Sequence, residues 1–126
     1  MILLDTSVLV AALTGTRRTA TALRGTIASG ERILLPTLVL YEWLRGPRQP
    51  HEIAIQETLF PSDSAAPFGV AEAELSANLY RALRRPRGRE FDIAIASCAI
   101  TRQALLWTPN PADFGDIPGI RLWTAP

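Results

Sequence analysis

Four acids in this chain stand inside or beside apolar runs. Asp5 closes Met1-Ile2-Leu3-Leu4, Glu42 lies within Tyr41-Glu42-Trp43-Leu44, Asp92 sits between Phe91 and Ile93, and Asp113 is held between Ala112 and Phe114. A carboxylate drawn into apolar surroundings is costly unless a cation or hydrogen-bond donors satisfy it. Several carboxylates gathered together also repel one another and raise their own pKa values, a penalty that a bound cation reverses. Hard cations such as Mg²⁺ take oxygen ligands and keep several waters, so a few carboxylates from different elements suffice. The pattern therefore points to a divalent-metal site. Spacing alone does not bring the four acids together, because each is separated from the next by at least a helix.

The elements that must position them follow from apolar periodicity and punctuation. Ile2 to Leu4 reads as a short buried strand, and Asp5-Thr6-Ser7 carries helix-start signals ahead of Val8 to Leu13. A second helix covers about Arg18 to Ala28 and stops at Ser29-Gly30, after which Arg32 to Leu35 is a second strand. Pro36-Thr37 starts a helix that carries Glu42 and Arg45 and ends at Gly46-Pro47. A short helix from His51 to Glu57 precedes an irregular connection from Phe60 to Gly69. Beyond it, Ala71, Leu75, Leu79, Ala82 and Leu83 recur at helical spacing up to the break at Pro86. Glu90 to Gln103 is a helix with Asp92 in its first turn. Leu105 to Trp107 is a third strand, Pro109 to Gly119 a turn-rich loop, and Ile120 to Trp123 a closing strand. Short apolar strands alternating with helices predict an α/β sandwich, with a small, mostly parallel sheet flanked by helices. Ligands of such sheets collect beyond the carboxyl ends of the strands. Asp5 and the loop after Trp107 both lie at that edge.

Composition narrows the functional classes. The chain has 126 residues, 48% hydrophobic and 20% charged, which suits one globular domain with a real core. Net charge is only +1, so any pull toward nucleic acid must come from local patches. All 13 basic residues are arginines. A chain without lysine has neither the phosphate-cradling lysine of P-loop hydrolases nor Schiff-base chemistry. The lone Cys98 agrees with a reducing compartment and excludes a cysteine-based zinc cage. The opening run lacks a basic stretch or an apolar stretch of membrane-spanning length, so the expected location is cytoplasmic, with no membrane partner.

Taken in order, Leu3-Leu4-Asp5-Thr6-Ser7, Tyr41-Glu42, Arg89-Glu90-Phe91-Asp92-Ile93-Ala94-Ile95-Ala96 and Thr108-Pro109-Asn110-Pro111-Ala112-Asp113-Phe114 resemble the PIN-domain ribonucleases. Within them the chain looks closest to the VapC-type toxins of type II toxin–antitoxin pairs. The resemblance spans essentially the whole chain and implies that residues 1–126 form a single PIN domain. By position it implies that Asp5, Glu42 and Asp92 are the core metal-binding acids, Asp113 the fourth acid, and Ser7 and Asn110 polar supports for the metal or its waters. It implies metal-dependent phosphodiester hydrolysis of RNA, with Mg²⁺ or Mn²⁺ as cofactor and water as nucleophile. It implies, further, a homodimer and a cognate protein antitoxin that blocks the acidic cleft. One departure is a glycine that family members often carry between the helix of the third acid and the next strand. This chain has Arg102-Gln103-Ala104-Leu105 there, read as a variation in a helix cap.

Each feature has a plainer reading. Asp5 could simply cap a helix, Glu42 pair with Arg45 on a solvent-facing turn, and Asp92 complement a helix dipole. Asp113 and Asp116 could serve turns, and of the two only Asp113 falls at the family position. Arg81, Arg84, Arg85, Arg87 and Arg89 are either a solvated helix end, a phosphate-binding rim in which Arg85, Arg87 and Arg89 meet RNA, or a surface for an acidic protein partner. His51 and Cys98 carry no chemistry in this reading, and Trp43, Trp107 and Trp123 read as core or dimer packing. Two alternative functions remain distinct. One is a degenerate PIN-like RNA-binding or adaptor protein, disfavoured because all four acids are present. The other is a different metal-dependent phosphohydrolase or phosphotransferase using Asp5 as covalent nucleophile, disfavoured because the second aspartate of the haloacid-dehalogenase type is replaced by Ser7.

Overall fold

The computed structural model describes residues 1–124, so the last two residues of the expected domain lie outside it. Three short strands, β1 (Ile2–Leu4), β2 (Ile33–Leu34) and β3 (Leu105–Trp107), pair in the order β2-β1-β3. All pairings are parallel, with Ile2 opposite Ile33 and Leu105, Leu3 opposite Leu34 and Leu106, and Leu4 opposite Trp107. The central strand is wholly apolar, and Ile2, Leu3 and Leu4 are each fully buried. That is the composition of a parallel strand covered on both faces.

Among the described residues six α-helices flank the sheet: α1 (Thr6–Leu13), α2 (Arg17–Ala28), α3 (Thr37–Arg45), α4 (Pro50–Leu59), α5 (Val70–Ala82) and α6 (Glu90–Thr101). Helix α1 packs against α2, α3 and α4, while α5 lies along α6 and α6 touches β3. The expected PIN-like α/β/α architecture is the one observed. Residues Ile95 to Ala99 of α6 are buried without a break, which makes it the central helix of its side. Cys98 lies in this stretch, where burial pushes its thiol up to about 11 and leaves it inert as a nucleophile. Trp43 is fully buried and Trp107 nearly so, as core packing requires, while His51 is exposed on α4. No helix among the described residues is long and apolar enough to cross a membrane.

Three boundaries depart from the sequence-based expectation. The closing strand over Ile120 to Trp123 is reduced to one parallel bridge, Leu122 opposite Leu106, fixed by Leu106 N–H to Arg121 and Trp123 N–H to Leu106. Its β-prone residues have only one free edge of a three-residue strand to pair with. Helix α5 ends at Ala82, not at Pro86, so most of the arginine run lies in the connection to α6 instead of on a helix end. Beyond α6, Gln103 adopts φ 55°, a left-handed conformation that glycine takes at no steric cost. Its N–H bonds to Ile100 and that of Ala104 to Ala99, completing a Schellman cap with glutamine where the family resemblance leads one to expect glycine. Arg121 donates to the Gln103 carbonyl at 2.8 Å and helps hold that turn.

Candidate active site

The four acids arrive at one end of the sheet on four different elements. Asp5 follows β1 and caps α1. Its Oδ1 accepts from the Thr6 N–H at 2.8 Å and its Oδ2 from the Thr108 hydroxyl at 2.8 Å, and the side chain is buried. Thr108 follows β3, the neighbouring strand, and the Asp5 N–H bonds to the Trp107 carbonyl. Asp5 is therefore fastened to both parallel strands at their carboxyl ends. Glu42, in the middle of α3, accepts a 2.6 Å hydrogen bond from the Thr6 hydroxyl. Asp92 occupies the first turn of α6, where the helix dipole favours negative charge. Asp113 ends a short 3₁₀ turn, Pro111–Asp113, and is placed by its neighbour Phe114, which is 1% exposed. Burying such a ring stabilises by roughly 1.5–3 kcal/mol, enough to fix an otherwise polar loop.

The charges of these groups act on one another. Burial raises the Asp5 pKa, partly offset by the bonds from Thr108 and Thr6, and repulsion from Glu42 and Asp113 raises it further. Burial likewise raises Asp92, followed by repulsion from Asp5, Asp113 and Glu42, with Arg89 opposing. The convergence that spacing could not establish is thus a property of the fold. All donors are carboxylate oxygens, the chemistry of a hard divalent cation. Among the described residues no three acids, histidines or cysteines stand as a metal-ligand cluster, so the arrangement is looser than a closed cage. An ion that keeps several of its waters suits it. Excess negative charge without a matching set of cations is the observation by which the residues fit such an ion.

Asp116 behaves differently. Arg89 donates to both its carboxylate oxygens, at 2.9 and 2.6 Å, and to the Asp113 carbonyl at 2.9 Å, which lowers the Asp116 pKa. Arg89 therefore ties the loop to the start of α6. Arg84, Arg85 and Arg89 line a cleft of about 540 Å³ together with Ala112, Asp113 and Asp116, whereas Arg87 is exposed outside that lining. Ser7 and Asn110 are both exposed, and among the described residues neither side chain bonds to the four acids. The hydroxyls that do reach the acids belong to Thr6 and Thr108. The sequence marks Thr6 only as part of a helix start and gives Thr108 no role, although both sit in the two motifs that carry Asp5 and Asp113. Of the apolar neighbours of Glu42 and Asp92, all of a type that favours burial, Trp43 and Ile93 are buried. Tyr41, Leu44 and Phe91 are instead exposed, because α3 and α6 present those positions outward around the cleft. Arg45 does pair with Glu42, at 3.5 Å, so the plainer reading of that turn holds beside the functional one.

The chain thus combines a parallel α/β sheet with carboxylates from four elements near its strand ends. The chain belongs to the PIN domain family, whose model matches residues 2–118. No curated protein sequence matches it. Among solved structures it is similar to DNA-bound VapBC from Salmonella typhimurium, at 22% identity over 97% of this chain and 96% of that one, with a TM-score of 0.79. VapBC2 from Rickettsia felis, bound to a DNA fragment from its promoter, matches at 22% identity over 98% of both chains, TM-score 0.74. FitAcB from Neisseria gonorrhoeae matches at 18% identity over 99% and 98%, TM-score 0.73.

Proposed function

We propose that this PIN domain is a Mg²⁺- or Mn²⁺-dependent endoribonuclease, the toxin of a toxin–antitoxin pair. The observation that carries the reading is that Asp5, Glu42, Asp92 and Asp113 stand near enough to repel one another, two of them with pKa values raised by burial and by these neighbours. Likeness in fold to chains from VapBC and FitAcB supports the assignment to a toxin, and a small protein antitoxin is the corresponding partner. A homodimer acting in the cytoplasm completes the proposal.

When bound, the divalent ion supplies Lewis-acid stabilisation of charge developing on the scissile phosphate. Asp5, Asp92, Glu42 and Asp113 would hold it. Thr108 and the Thr6 N–H orient the two oxygens of Asp5, and the Thr6 hydroxyl orients Glu42, so these acids meet the ion without first reordering. Arg84 and Arg85 form no ion pair among the described residues and face the cleft that Asp113 shares, which suits them to phosphates flanking the cut. Arg89, already committed to Asp116, serves as a brace in this scheme, and Arg85 carries the RNA-facing role more directly than Arg87.

The test is incubation of purified protein with mixed RNAs in Mg²⁺ or Mn²⁺ against a chelator, beside Asp5→Asn. Metal-dependent fragments from the parent alone support the reading. Cleavage that persists with chelator, or in Asp5→Asn at the parental rate, contradicts it.

A further inference from the structure

Two of the cleft acids are each preceded by an exposed aromatic, Tyr41 before Glu42 and Phe91 before Asp92. Tyr41 is 53% exposed and Phe91 39%. The rings come from different helices, α3 and α6, yet lie stacked with centroids 6.1 Å apart and planes 16° apart. One turn on from Tyr41, the Arg45 guanidinium carbon stands 5.2 Å from the Tyr41 centroid and 5.8 Å from that of Phe91. The same guanidinium reaches Glu42. One cation therefore connects the aromatic pair to the acidic cleft, and none of these three side chains is spent on the core.

We propose that Tyr41 and Phe91, with Arg45, form a stacking platform for an unpaired base of the RNA whose phosphate enters the acidic cleft. The proposal rests on the nuclease reading above and names how that site would hold its substrate. Single strands are held by aromatic faces on which bases stack, with arginine adding cation–π attraction, in a manner tolerant of sequence. A polymer whose phosphate lies at Glu42 and Asp92 must carry its bases close by, and the residues next to those acids are the two rings. A second copy of the chain docking here through a two-fold axis would bring only the same rings, guanidinium and carboxylate again. A nucleotide brings instead a base for the exposed ring pair and a phosphate for the neighbouring acids and their ion.

The test is made in an Asp5→Asn background, where cleavage is removed and the rings are untouched. Fluorescence anisotropy would follow a labelled mixed-sequence single-stranded RNA and a probe with the same sugar-phosphate backbone but no bases. Tyr41→Ala with Phe91→Ala should weaken RNA binding by about 5- to 150-fold and leave the base-free probe unchanged. Tyr41→Phe with Phe91→Tyr, which keeps both rings, should bind as the background does. Tyr41→Leu with Phe91→Leu keeps apolar volume without π faces and stands in if the alanine pair fails to fold. Equal losses on both probes, or none, overturn the platform. So does unchanged RNA affinity with a lowered sedimentation mass, which would make this face a contact between copies. If the parent cleaves RNA while the ring variants are silent, only the platform fails; if the parent neither binds nor cleaves RNA, the nuclease reading fails first and the platform with it.

Discussion

Asp113 and Asp116 stand three residues apart on one loop, each followed by a buried apolar anchor, Phe114 or Ile117, yet their electrostatic surroundings are opposite. Asp116 receives a two-pronged guanidinium from Arg89. Asp113 accepts no side-chain hydrogen bond among the described residues and faces Asp5 and Asp92, whose pKa values it helps to raise. The same contrast extends to the regions around them. At the strand ends the acids outnumber the cations that reach them, with Arg45 on Glu42; on the adjoining rim Asp116 is matched by Arg89, while Arg84 and Arg85 form no ion pair among the described residues. Residue type does not separate the two aspartates here, but the partners of each carboxylate do.

The largest effect that would sharpen this contrast is on RNA cleavage. Asp5→Asn and Asp92→Asn should each lower kcat by about 100-fold or more, since in the proposed mechanism each removes charge that would hold the ion stabilising the transition state. Both should remain folded by circular dichroism. Parental rates in both would erase the distinction between cleft and rim.

A smaller loss should follow from the hydroxyls behind the acids. Thr108→Val keeps shape but leaves the buried Asp5 Oδ2 without its donor, and Thr6→Val frees Glu42. Groups that orient metal ligands typically cost 10–100-fold in metal affinity when removed, so an apparent Mg²⁺ constant weakened by about that factor is expected. A cleavage titration reads it directly, and unchanged constants would mean that the threonines serve only the helix cap.

How much of this was legible in the sequence depends on the kind of interaction. Strand-to-helix handovers at Asp5-Thr6-Ser7 and Pro36-Thr37 announce themselves through local capping and proline geometry, and the order of elements follows them. The four acids could be named because their apolar neighbours made them conspicuous and the ordered motifs resembled a family. Their convergence could not be read, being a product of register between β1 and β3 and of where α3 and α6 cross the sheet end. For the same reason the outward placement of Tyr41 and Phe91 was missed, since an aromatic in an apolar run looks like core until the helix face is known. Gln103 hides its left-handed cap because a long polar side chain carries no sign of φ. The Arg89–Asp116 pair joins residues far apart in sequence, and nothing local to either announces it.

The loop itself offers a finer comparison. Asp113→Asn should slow cleavage at subsaturating Mg²⁺ several-fold more than Asp116→Asn, which disturbs only the brace. Rates across a Mg²⁺ series decide between them, and a larger defect at Asp116 would make positioning of the loop more important than its free carboxylate.

The smallest expected effect is on stability without metal. A carboxyl whose folded pKa is raised, as for Asp92, holds its proton more tightly when folded. Its favourable contribution is complete below the unfolded value near 3.8 and is lost as pH rises through the folded one, so the ionised group is a burden at neutral pH. Asp92→Asn should therefore be more stable than the parent at pH 7 in chelator, with the gap closing toward acid. Asp5→Asn should gain less, because the amide cannot replace the oxygen that Thr108 bonds. Thermal melts at several pH values test the sign.

The central claim, that four carboxylates of this fold form one cation site and their neighbour Asp116 does not, is tested most directly by Mn²⁺ binding isotherms. Titration calorimetry on the parent, on Asp5→Asn, Glu42→Gln, Asp92→Asn and Asp113→Asn, and on Asp116→Asn should give tight binding in the first and last, and weakening of about 10-fold or more in the others. Binding that survives all four cleft substitutions, or that falls as far in Asp116→Asn as in Asp92→Asn, would contradict it.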